Sequence, residues 1–245
     1  MINYGDFMRI GLFDSGVGGL TVLRSLVERY PNNEYIYYGD TLNNPYGSKS
    51  IDELLELASK NIEFLLEKGA EVIVVACGTV SSNCIFYLRD KYKIRIYDVI
   101  SNTLEYLNNG DSRKILVIGT ERTIDSHIFK NNVDKCVIEM ATPLLVPAIE
   151  NNEFMKIDNI LDNYLLNYLD IDTIVLGCTH YPIISKNIDN YYNGMVKIVN
   201  MGEIIKIDNL VDSVSSIKLY FSKIDDNIIN NCNFILKGKN IEIIK

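Results

Sequence analysis

The chain has 245 residues, 47% of them hydrophobic, enough to bury a substantial core as one large domain or two small ones. Its 24 Lys and Arg against 32 Asp and Glu leave a net charge of −8, which opposes attraction to phosphate backbones and anionic lipid, so nucleic acid and membrane are not expected partners. No stretch has the roughly eighteen apolar residues of a membrane span, and the first residues lack a signal peptide's basic start and apolar core, so a cytoplasmic location is expected.

In chain order, the apolar run 9–13 predicts a strand that opens into Asp14-Ser15-Gly16, followed by a helical pattern near 20–29. A strand over 34–38 leads into the loop Gly39 to Ser48, which runs up to the clearest helix, 51–68. That helix carries a capping-box pair at Ser50 and Glu53, a broad apolar face of Leu54, Leu55, Ala58, Ile62, Leu65 and Leu66, and a stop at Gly69. A strand over 71–76 reaches Cys77-Gly78-Thr79 and a helix over 81–91; strand 94–99 and helix 101–108 follow. Strand 114–118 then opens into Gly119-Thr120-Glu121, helix 157–169 precedes strand 172–176, and Cys178-Thr179-His180 leads to helix 182–191 and strand 196–200. The tail has an amphipathic piece near 210–221 and an apolar end from Ile241, while the Asn-rich segments read as solvated turns.

Strands alternating with helices predict an α/β fold of mainly parallel sheets flanked by helices. The order also repeats: Asp14 and Thr120 follow equivalent strands 106 residues apart, and Cys77 and Cys178 follow equivalent strands 101 residues apart. This internal duplication predicts two similar lobes, 1–99 plus 207–245 and 100–206, with the active site at their interface. Ligands of open α/β sheets bind at the carboxyl ends of the strands, where both cysteines are expected.

The five cysteines, at 77, 84, 136, 178 and 232, are an odd and scattered set without a Cys-x-x-Cys pair, so neither disulfides nor a zinc finger is expected. A free cysteine is by default a small buried hydrophobe, and Cys84, Cys136 and Cys232 keep that reading. Cys77 and Cys178 differ because each stands before a helix start, whose N–H groups stabilise a thiolate. Two thiols flanking one sp³ carbon can do what one cannot: one removes a proton while the other donates from the opposite side, with no cofactor. Asp14, otherwise a turn residue, and His180, two residues from Cys178, are the available proton-handling helpers. The other histidine, His127, is isolated, so no metal site is expected. The loop carrying Pro45, Tyr46, Gly47 and Ser48 offers hydroxyls and N–H groups suited to a carboxylate, and Glu150 joins the site if it turns toward the cleft.

Several ordered motifs carry a family resemblance: Phe-Asp14-Ser15-Gly-Val-Gly-Gly-Leu-Thr, Tyr-Gly-Asp40-Thr, Pro45-Tyr46-Gly47-Ser48, Ala-Cys77-x-Thr79, Val-Pro-x-x-Glu150 and Leu-Gly-Cys178-Thr179-His180-Tyr-Pro. With them the chain resembles bacterial glutamate racemase, of the cofactor-independent aspartate/glutamate racemase superfamily. The resemblance implies an amino-acid isomerase without cofactor, commonly a homodimer, whose D-glutamate feeds peptidoglycan synthesis. It implies that Cys77 acts on the D-amino acid with help from Asp14, and Cys178 on the L-amino acid with help from His180 and Glu150. It further implies substrate contacts from Asp14, Ser15, Tyr46, Gly47, Thr79, Thr179 and His180, with Pro45, Ser48, Gly78 and Thr120 in or beside the same motifs. One position departs: the family's Ala-Cys-Asn-Thr is Ala-Cys77-Gly78-Thr79 here, removing a polar anchor worth about 1–3 kcal/mol if nothing replaces it. Gly78 keeps aspartate or a broader acidic substrate open, and also a weakly catalytic binding protein. The charged segment Thr120 to His127 departs as well, and alters the cleft edge.

Overall fold

The run Arg9–Asp14 (β1) is buried on both faces from Ile10 onward because strands pair with it on each side. The structure, a computed structural model, describes residues 8–208 and 216–244. Around β1 lie Glu34–Gly39 (β2), Val72–Val75 (β3) and Arg95–Asp98 (β4), all parallel, and the sheet is extended beyond β2 by Ser216–Phe221 (β9) and Glu242–Ile244 (β10). Lys114–Gly119 (β5), Cys136–Ala141 (β6), Thr173–Leu176 (β7) and Lys197–Asn200 (β8) form a second parallel sheet in the order β6-β5-β7-β8. That order repeats β2-β1-β3-β4 of the first sheet, so the duplication read from strand spacing exists as topology.

Helices Leu20–Arg29 (α1), Ile51–Glu67 (α2), Gly78–Lys91 (α3) and Val99–Asn109 (α4) serve the first half of the chain. Glu121–Asp125 (α5), Ile128–Asn132 (α6), Leu145–Glu150 (α7), Ile157–Leu165 (α8), Ser185–Tyr191 (α9), Met201–Ile204 (α10) and Asp226–Ile235 (α11) follow. The capping box of α2 is formed in both directions, between Ser50 and Glu53. Its end is a Schellman turn: Gly69, at φ +87°, donates to Leu66 and Ala70 donates to Leu65.

Strand parity divides the core. Ile10 and Leu12 of β1, Val72 and Val74 of β3, and Ile115 and Val117 of β5 join one continuous apolar cluster that also holds Leu23, Ile100 and Met201 of α1, α4 and α10. The alternate residues turn outward to separate clusters: Phe13, Val75 and Cys77 meet Leu54 and Ile62 of α2, while Leu116, Leu176 and Cys178 meet Ile149 and Leu161 of α7 and α8. Each such fully buried aliphatic side chain contributes roughly 1.5–3 kcal/mol. Both cysteines therefore face the outer layers of their own sheets, at matching positions.

Several local expectations change. Helix 81–91 begins at Gly78, so Gly78 and Thr79 are its first turn rather than a loop. Helix 157–169 stops at Leu165, and 182–191 enters through a 3-10 turn at Tyr181–Ile184. Of the amphipathic piece near 210–221, residues 210–215 lie outside the described residues and 216–221 is strand β9. The Asn-rich stretch 226–235 is a helix, because Ile228, Asn231, Cys232 and Ile235 fall on one buried face. Cys136, expected to be buried, is exposed at the start of the edge strand β6. Among the described residues no helix is long and apolar enough to cross a membrane.

Candidate active site

Residues at the carboxyl ends of both sheets surround one small cavity of about 30 Å³. The first sheet and its loops supply Ser15, Pro45, Tyr46, Gly47, Cys77, Gly78 and Thr79; the second supplies Thr120, Cys178, Thr179 and His180. Among the described residues no Lys or Arg lines the cavity, so negative charge there is met by hydroxyls, imidazole, the Asn44 amide and backbone N–H groups. Of the expected site residues, Ser48 and Glu150 line an adjoining outer cavity instead, and Asp14 is fully buried behind Ser15.

Cys77 stands at the N-cap of α3, where the N–H groups of Val80 and Thr79 favour a thiolate. Burial, and next the Asp14 charge, nevertheless push its thiol well above the ordinary cysteine range, so it rests protonated at neutral pH. The Asp14 carboxylate accepts N–H bonds from Gly19 (2.8 Å) and Gly16 (3.2 Å), and the Thr179 hydroxyl of the other lobe lies 3.5 Å from it. These donors allow an acidic side chain to be buried without a cation.

On the other side, Cys178 Sγ lies 3.6 Å from His180 Nδ1, and His180 Nε2 lies 2.9 Å from Glu150 Oε1. Burial opposes the imidazolium, but hydrogen bonds and charge from Cys178 and Glu150 outweigh it and hold the His180 pKa well above its usual value. Burial likewise opposes charge on Glu150, yet His180 and the Asn44 amide hold its carboxyl below the usual range. The result is a relay from sulfur through imidazole to carboxylate, able to take up or return a proton at Cys178.

The lobes touch closely at this cavity. A Cβ at position 78 would lie 2.7 Å from the Gly177 carbonyl oxygen, so the absence of a side chain lets the α3 start meet the β7 end. A Cβ at Gly18 would lie 2.5 Å from His180 Nδ1, and only glycine leaves room for that ring. Thr79 and Thr120 join hydroxyls at 3.0 Å across the lobes, and Thr21 donates to the Thr179 carbonyl at 2.8 Å.

The expected use of the Tyr46 hydroxyl changes. It donates to Asp40 at 2.6 Å and accepts from Asn61 at 3.1 Å, so it fixes the loop from behind instead of offering a free hydroxyl to a ligand. Sequence reasoning gave no role to Asn44 or Val146, which also line the cavity. For Asn44 the only signal was a polar side chain beside Pro45; its partner, Glu150, is 106 residues away. Among the described residues no three His, Cys, Asp or Glu side chains gather as a metal site.

No protein-family model matches the chain. It is 35% identical to the glutamate racemase of Aquifex pyrophilus over 232 residues, covering 90% of this chain and 91% of that one. It is 40% identical to the glutamate racemase of Clostridium perfringens strain SM101 over 201 residues, covering 78% of this chain and 77% of the other. Among solved structures, a glutamate racemase isoform from Bacillus anthracis superposes with a TM-score of 0.90 at 27% identity, over 97% of this chain and 96% of that one. With this sequence identity over nearly its whole length, the chain belongs to the glutamate racemase family.

Proposed function

We propose that this protein interconverts L- and D-glutamate by proton transfer at Cα between Cys77 and Cys178, without a cofactor. The observation that carries this reading is that the two thiols follow equivalent strands of the duplicated topology and line one cavity. One sulfur, as thiolate, takes the Cα proton; the carbanion then takes a proton from the other thiol on the opposite face, leaving the thiol and thiolate exchanged. Cys77 serves the D-enantiomer with Asp14 beside it, and Cys178 serves the L-enantiomer with His180 and Glu150. The N-terminal turn of α3 and the hydroxyls of Ser15, Thr79, Thr120 and Thr179 meet the substrate's carboxylates and the charge that develops on them.

The glutamate racemase of Francisella tularensis, 26% identical with a TM-score of 0.81 over 97% of each chain, was solved with D-glutamate, which supports the substrate. The same reading divides the chain into lobes 1–99 plus 207–245 and 100–206, supported by sheet membership, and gives the D-glutamate produced to peptidoglycan synthesis. In D₂O, either enantiomer of glutamate should lose optical activity while gaining deuterium at Cα. If neither happens across the neutral pH range, the proposal fails; faster turnover of aspartate in parallel assays would move the substrate and leave the chemistry.

A further inference from the structure

The Glu150 carboxylate belongs to the second lobe by its helix, α7, yet the first lobe holds it. Asn44 Nδ2 lies 2.8 Å from Oε1 and 3.0 Å from Oε2, a forked contact that leaves Oε1 also on His180 Nε2. The same two groups roof Gly16, where a Cβ would lie 3.4 Å from both Asn44 Nδ2 and Glu150 Oε1. At the backbone, Asn227 of α11 donates to the Glu150 carbonyl at 3.0 Å and accepts from Asn152 Nδ2 at 2.9 Å. Two asparagines of the first-sheet side thus grip one residue of the second, one at its charge and one at its main chain.

We propose that Asn44 is a positioning residue for the second half-site: it clamps the Glu150 carboxylate from the opposite lobe and through it holds the His180 ring against Cys178. The proposal rests on the racemase reading of the site. Glu150 is partly exposed at the cleft edge, with its side chain 27% accessible, so without the amide its carboxylate is free to swing toward water and leave the imidazole. The titratable groups facing this chain of contacts are Glu150, His180 and Cys178 themselves, and the amide is the neutral member that favours the charged carboxylate. Lobe contact and proton relay are thereby one arrangement: Asn44 reaches Glu150 only when the lobes are together.

The test compares wild type with Asn44→Leu, which keeps the branched outline and removes the donor, and with Asn44→Asp, which faces Glu150 with a like charge. Asn227→Ala is the control that loosens the lobes without touching the carboxylate. Racemisation is followed against pH, and His180, one of two histidines, is followed by NMR of its ring protons. Asn44→Leu should lower kcat more than it raises KM, by about tenfold in kcat/KM, the scale of one charge-assisted hydrogen bond. Its acid limb should move to higher pH, and the His180 signals should show the carboxylate inflection moved the same way; Asn44→Asp should exceed both. Asn227→Ala should lower the melting temperature with the limb in place. An unmoved His180 inflection in both Asn44 variants, or a limb that moves equally in Asn227→Ala, overturns the role of Asn44. An inactive wild type overturns the racemase reading separately, because the NMR inflection still reports whether the clamp exists.

Discussion

The hydroxyls of Thr79 and Thr120 meet at 3.0 Å, one from the first turn of α3 and the other from the N-cap of α5, so the two lobes share a hydrogen bond beside the thiols. Thr120 also bonds the Thr123 hydroxyl at 2.9 Å, which fixes its rotamer. Thr120→Val should remove both bonds, and the N-cap bond from the Thr123 N–H, at almost constant volume. We expect kcat/KM to fall about tenfold, with the melting temperature lowered by a few degrees, read by steady-state kinetics and thermal unfolding.

Replacing Cys77 or Cys178 by Ala should each lower racemisation by at least about a thousandfold, because no second base remains for the inverted step. The residual chemistry should be one-sided. Cys77→Ala should still exchange the Cα proton of L-glutamate with D₂O, with retention, and Cys178→Ala that of D-glutamate. Proton NMR with chiral chromatography reads both, and equal loss of exchange for both enantiomers in each variant would contradict the assigned sides.

Gly78→Ala tests the contact with Gly177. The added Cβ meets backbone, which cannot rotate away, so the lobes must separate near the thiols. Overpacking of this kind costs about 1–3 kcal/mol, and kcat/KM should drop more than tenfold. Gly78→Asn, which restores the residue usual in the family, should be worse than Gly78→Ala rather than better, by the same assay.

Tyr46→Phe should act on stability more than on binding. The hydroxyl it removes serves Asp40 and Asn61, leaving Asp40 with the Asn43 amide at 3.0 Å. A loss of about 1–3 kcal/mol in denaturant unfolding is expected, with the KM for glutamate changed less than threefold. A larger KM effect would return the hydroxyl to the ligand.

Burial alone pushes the Cys84 thiol up to about 12, and burial pushes Cys232 to about 12 against a small backbone contribution. Both thiols are thus held protonated in the folded state beyond the pH at which they ionise when unfolded, near 9. Their contribution is fully present below pH 9 and is lost as pH rises toward 12, at up to about 1.4 kcal/mol per pH unit for each group. The double variant Cys84→Ala/Cys232→Ala, less stable at pH 7 through lost packing, should lose less additional stability between pH 9 and 11 than wild type. Denaturant melts at the two pH values measure it.

The parallel strands, the repeat and the capping box were legible because each is written locally: a β-branched run, an equal offset, a Ser and a Glu three residues apart. Strand β6 was not, since Cys136–Ala141 sits at a sheet edge, is only partly buried and carries Glu139. Helix α11 was hidden by its asparagines, although its apolar spacing was present. In the site, the motifs found most of the residues that line the cavity, though not Asn44 or Val146, and not how their atoms are used. The Tyr46 hydroxyl turns to Asp40, and Asn44 finds Glu150, because those choices depend on partners brought close only by the packing of the lobes.

Ile10 and Leu12 on one sheet and Ile115 and Val117 on the other belong to one apolar layer shared by the two lobes. Cutting the lobes apart would expose that layer on both pieces, so heat is expected to melt the chain in a single cooperative transition. A molecule bound in the cleft then raises the melting point of both sheets together, including strands that never touch it.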